Sequence, residues 1–167
     1  MTHKNDPMLI PSTMEADALP QGQVIDIPKG RKYPVYSGPG EDYRRLGDDG
    51  NATVSTNGWI QVFGREGDWL LIQYNIRDGR NRFGYITASA LPGDADVPAL
   101  NFTHKAGVLD SSATDDPLRT WAETERFENV DCVQLATFGD EVYVEIAPDT
   151  LKYRGFASGV TLREDHA

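Results

Sequence analysis

The sequence predicts an all-β protein made of two small β-barrels in tandem. Three observations favour this fold class: short strand-like segments recur along the chain, turn residues separate them, and their spacing repeats. With 167 residues, the chain is long enough for two domains near the lower size limit of stable folds. Its composition, 39% hydrophobic and 25% charged, is ordinary for a globular protein, so a packed core is expected.

The first predicted unit covers residues 23–92. Asn57-Gly58 and Gly67-Asp68 lie between apolar runs and are typical of hairpin turns. In the Gly38-Pro39-Gly40 turn, glycine permits unusual backbone angles and proline fixes one of them. Residues 88–91 are expected to close the unit through a single helical turn. The strand-like segments are residues 24–27, 35–36, 52–54, 59–63, 69–74 and 83–86.

A second unit at residues 104–164 is predicted from an internal repeat. Gly67 aligns with Gly139 at an offset of 72 residues, and Gly84 aligns with Gly155 at an offset of 71. The same alignment matches residues 35–36 with 108–109, and Leu91 with Leu162. Offsets that drift by only one residue at loops indicate a duplicated unit.

Two segments lie outside the predicted barrels. Residues 1–22 are polar and contain three prolines, which predicts an extended N-terminal arm, and residues 93–103 have the composition of a linker. Within the second unit, residues 116–123 have two interpretations. They form either a short helix capped by Asp116 or, from the repeat, part of a strand over residues 120–124.

The first unit resembles a bacterial SH3-type (SH3b-like) domain. The resemblance is carried by four motifs between residues 33 and 91: Ser37-Gly38-Pro39-Gly40, Gly67-Asp68-Trp69, Gly84-Tyr85-Ile86 and Leu91. It implies that each barrel is SH3-like, and that the protein is a non-catalytic binding or targeting module. Tyr36 departs from the family pattern, in which arginine is common at this position, and residues 110–113 replace the glycine turn in the second unit.

The resemblance also implies a partner and a location. Domains of this type recognise cell-wall peptides or glycans, so a peptidoglycan fragment or a protein partner is expected, in a secreted or envelope-associated protein. The first residues lead into no apolar run of signal-peptide type, which leaves a cytoplasmic location as the alternative. No apolar stretch approaches the length of a membrane span.

Composition argues against several other classes of function. The net charge of −10, with only 16 Lys and Arg residues, disfavours nucleic-acid binding. One cysteine and three scattered histidines predict no metal site, and no cofactor is expected. Asp131-Cys132 is the one catalytic-looking fragment, but the only histidine downstream is His166. Cys132 is therefore interpreted as a buried strand residue, and the chain as no enzyme.

Aromatic residues near the turns of the first unit are the candidate ligand-binding residues. Aromatic faces hold peptides or sugars while their polar edges form hydrogen bonds. Trp69 opens an apolar strand and is expected in the core. The candidates, for which core burial and groove exposure are both open, are Tyr36, Tyr43, Trp59 and Tyr85. The alternative function is a structural or protein-assembly module without a small ligand.

Overall fold

The all-β prediction is confirmed. A computed structural model describes residues 18–47, 49–76, 79–93, 95–117, 124–158 and 160–162. This part of the chain contains thirteen strands and the 3₁₀ turn Ala88–Ala90, at the predicted helical turn. None of its helical segments has the length and apolar character needed to cross a bilayer. Residues 118–123, for which helix and strand were alternatives, lie outside the described residues.

The first half of the structure comprises strands β1 to β6, arranged in two antiparallel sheets. One sheet has the order β1-β4-β5-β6, and β2 pairs with β3 in the other. The strands are β1 (Gln23–Val24), β2 (Lys32–Pro34), β3 (Thr53–Ser55), β4 (Ile60–Glu66), β5 (Trp69–Asn75) and β6 (Asn81–Thr87).

The second half comprises strands β7 to β13 in one antiparallel sheet of order β13-β7-β10-β11-β12-β8-β9. The strands are β7 (Lys105–Leu109), β8 (Ser112–Thr114), β9 (Thr124–Arg126), β10 (Val130–Phe138), β11 (Glu141–Ile146), β12 (Tyr153–Ala157) and β13 (Val160–Leu162). Among the described residues no sheet closes on itself. The structure therefore shows the all-β class but not two closed SH3-like barrels.

The predicted repeat is present in the two central hairpins, β4–β5 and β10–β11. Each hairpin contains a β-bulge, which follows Val62 in one and Gln134 in the other, an offset of 72 residues. Each turn contains a glycine with positive φ, 60° at Gly67 and 59° at Gly139. Glycine adopts this conformation without the steric cost of a side chain. The duplication therefore extends from sequence spacing to hydrogen-bond register.

The predicted alignment at the front of the units is wrong. β1 pairs with β4 through Gln23 and Val62, and β7 pairs with β10 through Lys105 and Gln134. β7, which contains residues 108–109, is therefore the counterpart of β1 and not of residues 35–36. Instead, Tyr36 bridges to Tyr85 in β6, as Thr114 pairs with Phe156 in β12. Gln23 in β1 and Lys105 in β7 are 82 residues apart, whereas Val62 in β4 and Gln134 in β10 are 72 apart. The difference arises because the first half has extra residues between β1 and β4.

The two halves pack face to face through a shared apolar cluster. One face is formed by β4, β5 and β6, and the other by β10, β11 and β12. The buried members are Phe63, Leu71, Phe83 and Tyr85 from the first half and Leu135, Ala136, Tyr143 and Phe156 from the second. Burying a large apolar side chain contributes about 1.5–3 kcal/mol, so this interface is a major part of the core.

Leading residues of each half cross to the other half. Leu19 donates its backbone N–H to the Thr137 carbonyl in β10 at 2.8 Å, and Leu100 donates to the Arg65 carbonyl in β4 at 2.8 Å. Arg65 and Thr137 are themselves repeat counterparts at an offset of 72. The end of the predicted arm and part of the predicted linker are thus hydrogen-bonded, and both leucines are buried.

Glycine in the Ser-Gly-Pro-Gly turn serves close packing and not the predicted unusual angle. Neither Gly38 nor Gly40 has a positive φ. A Cβ placed on Gly38 would overlap the ring of Tyr43. Any larger residue at position 38 would therefore displace a buried tyrosine.

Gln134 gives a test of the repeat. Its side chain is 0% exposed, and neither Oε1 nor Nε2 has a hydrogen-bond partner within the described residues, whereas its counterpart Val62 is apolar. An unsatisfied buried amide costs about 1–3 kcal/mol. We expect Gln134→Val to raise the free energy of unfolding by about 1–2 kcal/mol in urea denaturation. Val62→Gln should lower it, and a loss of stability in Gln134→Val would show that the amide has a polar partner.

Candidate functional site

The four candidate aromatic residues do not form one surface. Tyr85 is 0% exposed and Tyr43 is 6% exposed, so neither offers its ring to a ligand in this structure. Tyr36 is half-buried and meets Trp69 edge-on, with ring centroids 5.5 Å apart. Trp59, by contrast, is 41% exposed. Sequence position next to a turn did not distinguish these environments.

Tyr43 and Tyr85 are brought together around a buried arginine, Arg154 in β12. The Arg154 side chain is 4% exposed. Its Nη1 and Nη2 donate to the two carboxylate oxygens of Glu66 at 2.9 and 3.2 Å. Its Nε donates to Glu145 at 2.8 Å. Because Glu66 lies in β4 and Glu145 in β11, one guanidinium joins the two halves.

Both tyrosine hydroxyls complete this Arg154 cluster, which consists of Arg154, Glu66, Glu145, Tyr43 and Tyr85. The Arg154 guanidinium donates to Tyr85 at 2.9 Å and to Tyr43 at 3.3 Å. Tyr85 donates to Glu66 at 2.9 Å, and Tyr43 donates to Glu145 at 2.6 Å. The guanidinium also lies 5.2 and 5.6 Å from the two ring centroids. Every group of the cluster is therefore satisfied internally, as a buried polar network requires.

The pKa shifts fix the charge state of the cluster. Burial alone lowers the pKa of Arg154. Tyr85 and Glu66 raise it by more than burial lowers it, so the pKa lies above its usual value and the guanidinium stays charged. Burial raises the pKa of Glu145, yet hydrogen bonds from Tyr43 and Arg154 outweigh this and leave it below its usual value. Burial raises the pKa of both tyrosines. The cluster thus holds a cation and a carboxylate with neutral hydroxyls.

The repeat places an aromatic cluster opposite this polar one. Phe83, Phe138 and Phe156 are the counterparts of Arg154, Glu66 and Tyr85, at offsets of 71, 72 and 71 residues. The ring centroids of the three phenylalanines lie 4.9 to 5.8 Å apart. The same three positions therefore join the halves twice, once by apolar packing and once by charge. A signal for this cluster was present in the sequence: Arg154 lies in an otherwise apolar strand, at the repeat position that Phe83 occupies in the first half.

An open groove surrounds Trp59 and has a volume of about 510 Å³. It combines core side chains with exposed apolar and charged ones, and Val24 at its edge is 68% exposed. We call it the Trp59 groove. Its lining residues are Val24, Ile25, Asp26, Ile27, Lys29, Thr56, Asn57, Gly58, Trp59 and Ile60.

The groove exists because the ladder between β1 and β4 stops early. Its last pair is Val24 with Gln61, whereas the equivalent ladder of β7 and β10 continues for three further pairs. At the far end, Gly30 N–H donates to Asn57 Oδ1 at 2.9 Å, and Arg31 N–H donates to Thr56 Oγ1 at 2.9 Å. Residues 25–29 are therefore held against the neighbouring segment at both ends. Between these two ends they separate from residues 57–60 and leave the groove open.

A second groove lies between the halves, and Arg44 in its lining is already ion-paired. Its volume is about 550 Å³, and Arg44, Arg45 and Tyr153 contribute to its lining. Arg44 forms ion pairs with Glu125 at 2.6 Å and Asp149 at 3.4 Å, and its guanidinium lies 5.0 Å from the Tyr153 ring centroid. An anionic ligand would have to displace these carboxylates.

The prediction that Cys132 is a buried strand residue is confirmed. It lies in β10, is 5% exposed, and burial raises the pKa of its thiol to about 11. The thiol form is therefore favoured at neutral pH. His166 lies outside the described residues. Within the described ranges, no group of three or more His, Cys, Asp or Glu side chains is arranged to hold a metal ion.

Comparison with protein-family models, curated proteins and solved structures gives no match to this chain. The resemblance to bacterial SH3-type domains therefore stays a prediction from the motifs of the first unit. What the structure adds is geometric: a buried cluster that joins the halves, and one groove with an exposed tryptophan.

Removing Arg154 should destabilise the whole fold. In Arg154→Met, two carboxylates and two hydroxyls lose their shared donor, and we expect the unfolding free energy to fall by about 2–4 kcal/mol. The loss is limited because water can reach the partly exposed carboxylates. Arg44→Met is the control, since its partners are exposed and the loss should be below about 1 kcal/mol. Equal losses in urea denaturation would contradict the role given to the cluster.

Stability should fall at both extremes of pH. Burial raises the pKa of Tyr43, Tyr85 and Tyr143 above the usual 10.0, so their contribution is complete below pH 10.0 and is lost as the pH rises further. Glu145 has a lowered pKa, so its contribution is present above pH 4.5 and is lost as the pH falls. Unfolding free energies across this range, with tyrosinate absorbance, test both limits. Ionisation of all seven tyrosines near pH 10.0 in a fully folded protein would contradict the first limit.

Proposed function

We propose that this chain is a non-catalytic binding module of bacterial SH3 type, secreted or located in the cell envelope, which binds its partner in the Trp59 groove. The partner is a cell-wall peptide or glycan, or a segment of another protein. One observation carries the proposal: Trp59 and Val24 are both exposed and both line one groove, while the aromatic residues of the interface are buried.

The composition of the groove supports binding. A tryptophan face supplies a large apolar contact at low cost in conformational entropy, and tryptophan is enriched among residues that dominate binding energies. Asp26, Lys29 and Asn57 provide polar contacts beside it. The hydrogen bonds of Gly30 and Arg31 fix the far end of the groove, so little ordering is required when a ligand binds.

Two further observations support a non-catalytic role. The ionisable groups of the Arg154 cluster are hydrogen-bonded to one another at the interface between the halves. The Cys132 thiol is buried in a strand, and its raised pKa disfavours the nucleophilic thiolate. Both features stabilise the fold, and neither presents a reactive group to a substrate.

A structural or protein-assembly module without a small ligand is the second candidate. The observation that favours it is the exchange of leading residues, through which Leu19 and Leu100 each pair with the other half. A chain that already joins two similar halves in this way is suited to a scaffolding role. In this case Trp59 and Val24 would pack against another folded protein.

Binding to purified peptidoglycan distinguishes the two candidates. We expect the unaltered chain to sediment with peptidoglycan and Trp59→Ala to lose about tenfold in affinity, because one exposed aromatic anchor contributes more than 1 kcal/mol. Leu151→Ala is the control, since Leu151 is also an exposed apolar residue but does not line the groove. No sedimentation of the unaltered chain would favour assembly, and equal sedimentation of both variants would place binding elsewhere.

A further inference from the structure

We propose that the Trp59 groove binds a short extended peptide by backbone pairing, with alternating apolar and basic side chains. The peptide takes the place of the strand pairing that the first half lacks at this position. This inference rests on the proposed function of the groove and narrows its partner from peptide, glycan or protein to one class of ligand.

The repeat shows which pairing is missing. In the second half, β7 continues to pair with β10 through Gly107, Val108 and Leu109, and β13 pairs with the same three residues on the other edge. Their counterparts, by the shared register at the bulge, are residues 25–27. Within the described part of the first half, Asp26 and Ile27 take part in no strand pairing.

Side-chain burial supports this equivalence. Leu109 and Ile27 are both buried in the core, and Ala106 and Val24 are both exposed. Residues 25–27 therefore point their side chains as a strand does, with Ile27 inward and Asp26 outward. The segment has the alternation of a strand but no strand partner among the residues that the structure describes.

Backbone groups at this position favour a peptide over a sugar. Unpaired N–H and C=O groups on an exposed strand are a template for the backbone of another chain, which bonds at regular spacing along it. Trp59 on the opposite wall is likewise outside any strand pairing in the described residues. Backbone donors and acceptors on an extended segment match a second extended backbone, whereas sugar hydroxyls have no such repeat.

The fixed ends of the groove limit the length of the peptide. The wall formed by residues 25–29 lies between the Val24–Gln61 pair and the Gly30–Asn57 hydrogen bond. An extended chain advances about 3.3 Å per residue, so a segment of about five residues spans this wall. Its backbone can pair only with residues 25–27, because Pro28 has no N–H group and the chain bends at Lys29 and Gly30. A longer ligand would have to leave the groove at one of these two points.

Charge and the apolar rim define the side chains of the ligand. Val24 and Trp59 offer apolar contacts, and the exposed side chains of Asp26 and Lys29 line the same groove. The whole chain carries a net charge of −10, which attracts a cationic ligand. Because successive side chains of an extended peptide alternate in direction, apolar residues in alternation with lysine satisfy both features.

Three soluble probes test the proposal against the ¹⁵N-labelled full chain by NMR titration. They are the blocked peptide Val-Lys-Val-Lys-Val, its analogue Val-Glu-Val-Glu-Val, and chitotetraose. We expect the lysine peptide to shift the amides of residues 25–27 and the Trp59 indole, and to bind at least about fivefold more tightly than the glutamate peptide at low salt. Shifts in the groove with chitotetraose and with neither peptide would overturn the proposal.

Methylation of the peptide backbone tests pairing directly. In an extended strand, alternate N–H groups face the same side. Methylation of each peptide nitrogen in turn should therefore weaken binding about tenfold at alternate residues and little at the others. A uniform effect, or none, would show that side chains alone hold the peptide and would overturn backbone pairing.

Charge reversal at Asp26 changes an exposed residue, so we expect the variant to fold. Asp26→Lys should reverse the preference between the lysine and glutamate peptides, and Asp96→Lys, which makes the same charge change at an exposed residue outside the groove, should not. An unchanged preference in Asp26→Lys would overturn the assignment of a basic ligand.

These results separate this inference from the proposed function. Loss of peptidoglycan binding in Trp59→Ala, without binding of either peptide, would support the groove as a binding site and overturn the peptide ligand. Binding of the lysine peptide without binding to peptidoglycan would support the inference and leave a protein as the partner. No change in the groove with any probe or with peptidoglycan would overturn both.

Discussion

The rest of the structure depends on the contact between the face formed by β4, β5 and β6 and the face formed by β10, β11 and β12. The repeat gives each face the same positions, yet the two ends of the contact differ in chemistry. Phe83 packs against two phenylalanines at one end, and Arg154 pairs with Glu66 and Glu145 at the other. Apolar packing has no preferred direction, whereas a bidentate ion pair does, so Arg154 constrains the relative orientation of the halves. The buried ion pair of Arg82 with Asp115, at 2.8 Å, adds a second directional contact between them.

This interface also explains why few aromatic residues are exposed in the described part of the chain. Tyr85 and Phe63 are buried between the halves, and Tyr43 is held beside Arg154 through its hydroxyl. Trp59 lies where the two halves differ. Its counterpart in the second half is Asp131, in a fully paired ladder, so the groove is a local departure from the duplicated plan. The ladder at this position is thus closed in the second half and open in the first.

Local features of the fold were predictable from the sequence, and contacts between distant segments were not. Hairpins β4–β5 and β10–β11 follow from apolar runs around Gly67 and Gly139, because turn chemistry and alternation act over a few residues. The burial of Tyr43 and Tyr85 depends on Arg154, more than 60 residues away in sequence from either. The match of residues 35–36 with 108–109 failed for a related reason: similar apolar dipeptides fit several strands, and only hydrogen-bond pairing distinguishes them.

The exchanged leading residues have a consequence for the order in which the protein folds. Leu19 completes its hydrogen bond only with Thr137, 118 residues further along the chain. A ribosome must therefore synthesise β10 before Leu19 can make its native hydrogen bond. Contacts so distant in sequence carry a high entropic cost of loop closure and slow folding. The native contact of Leu19 therefore forms only after the second half of the chain is available to accept it.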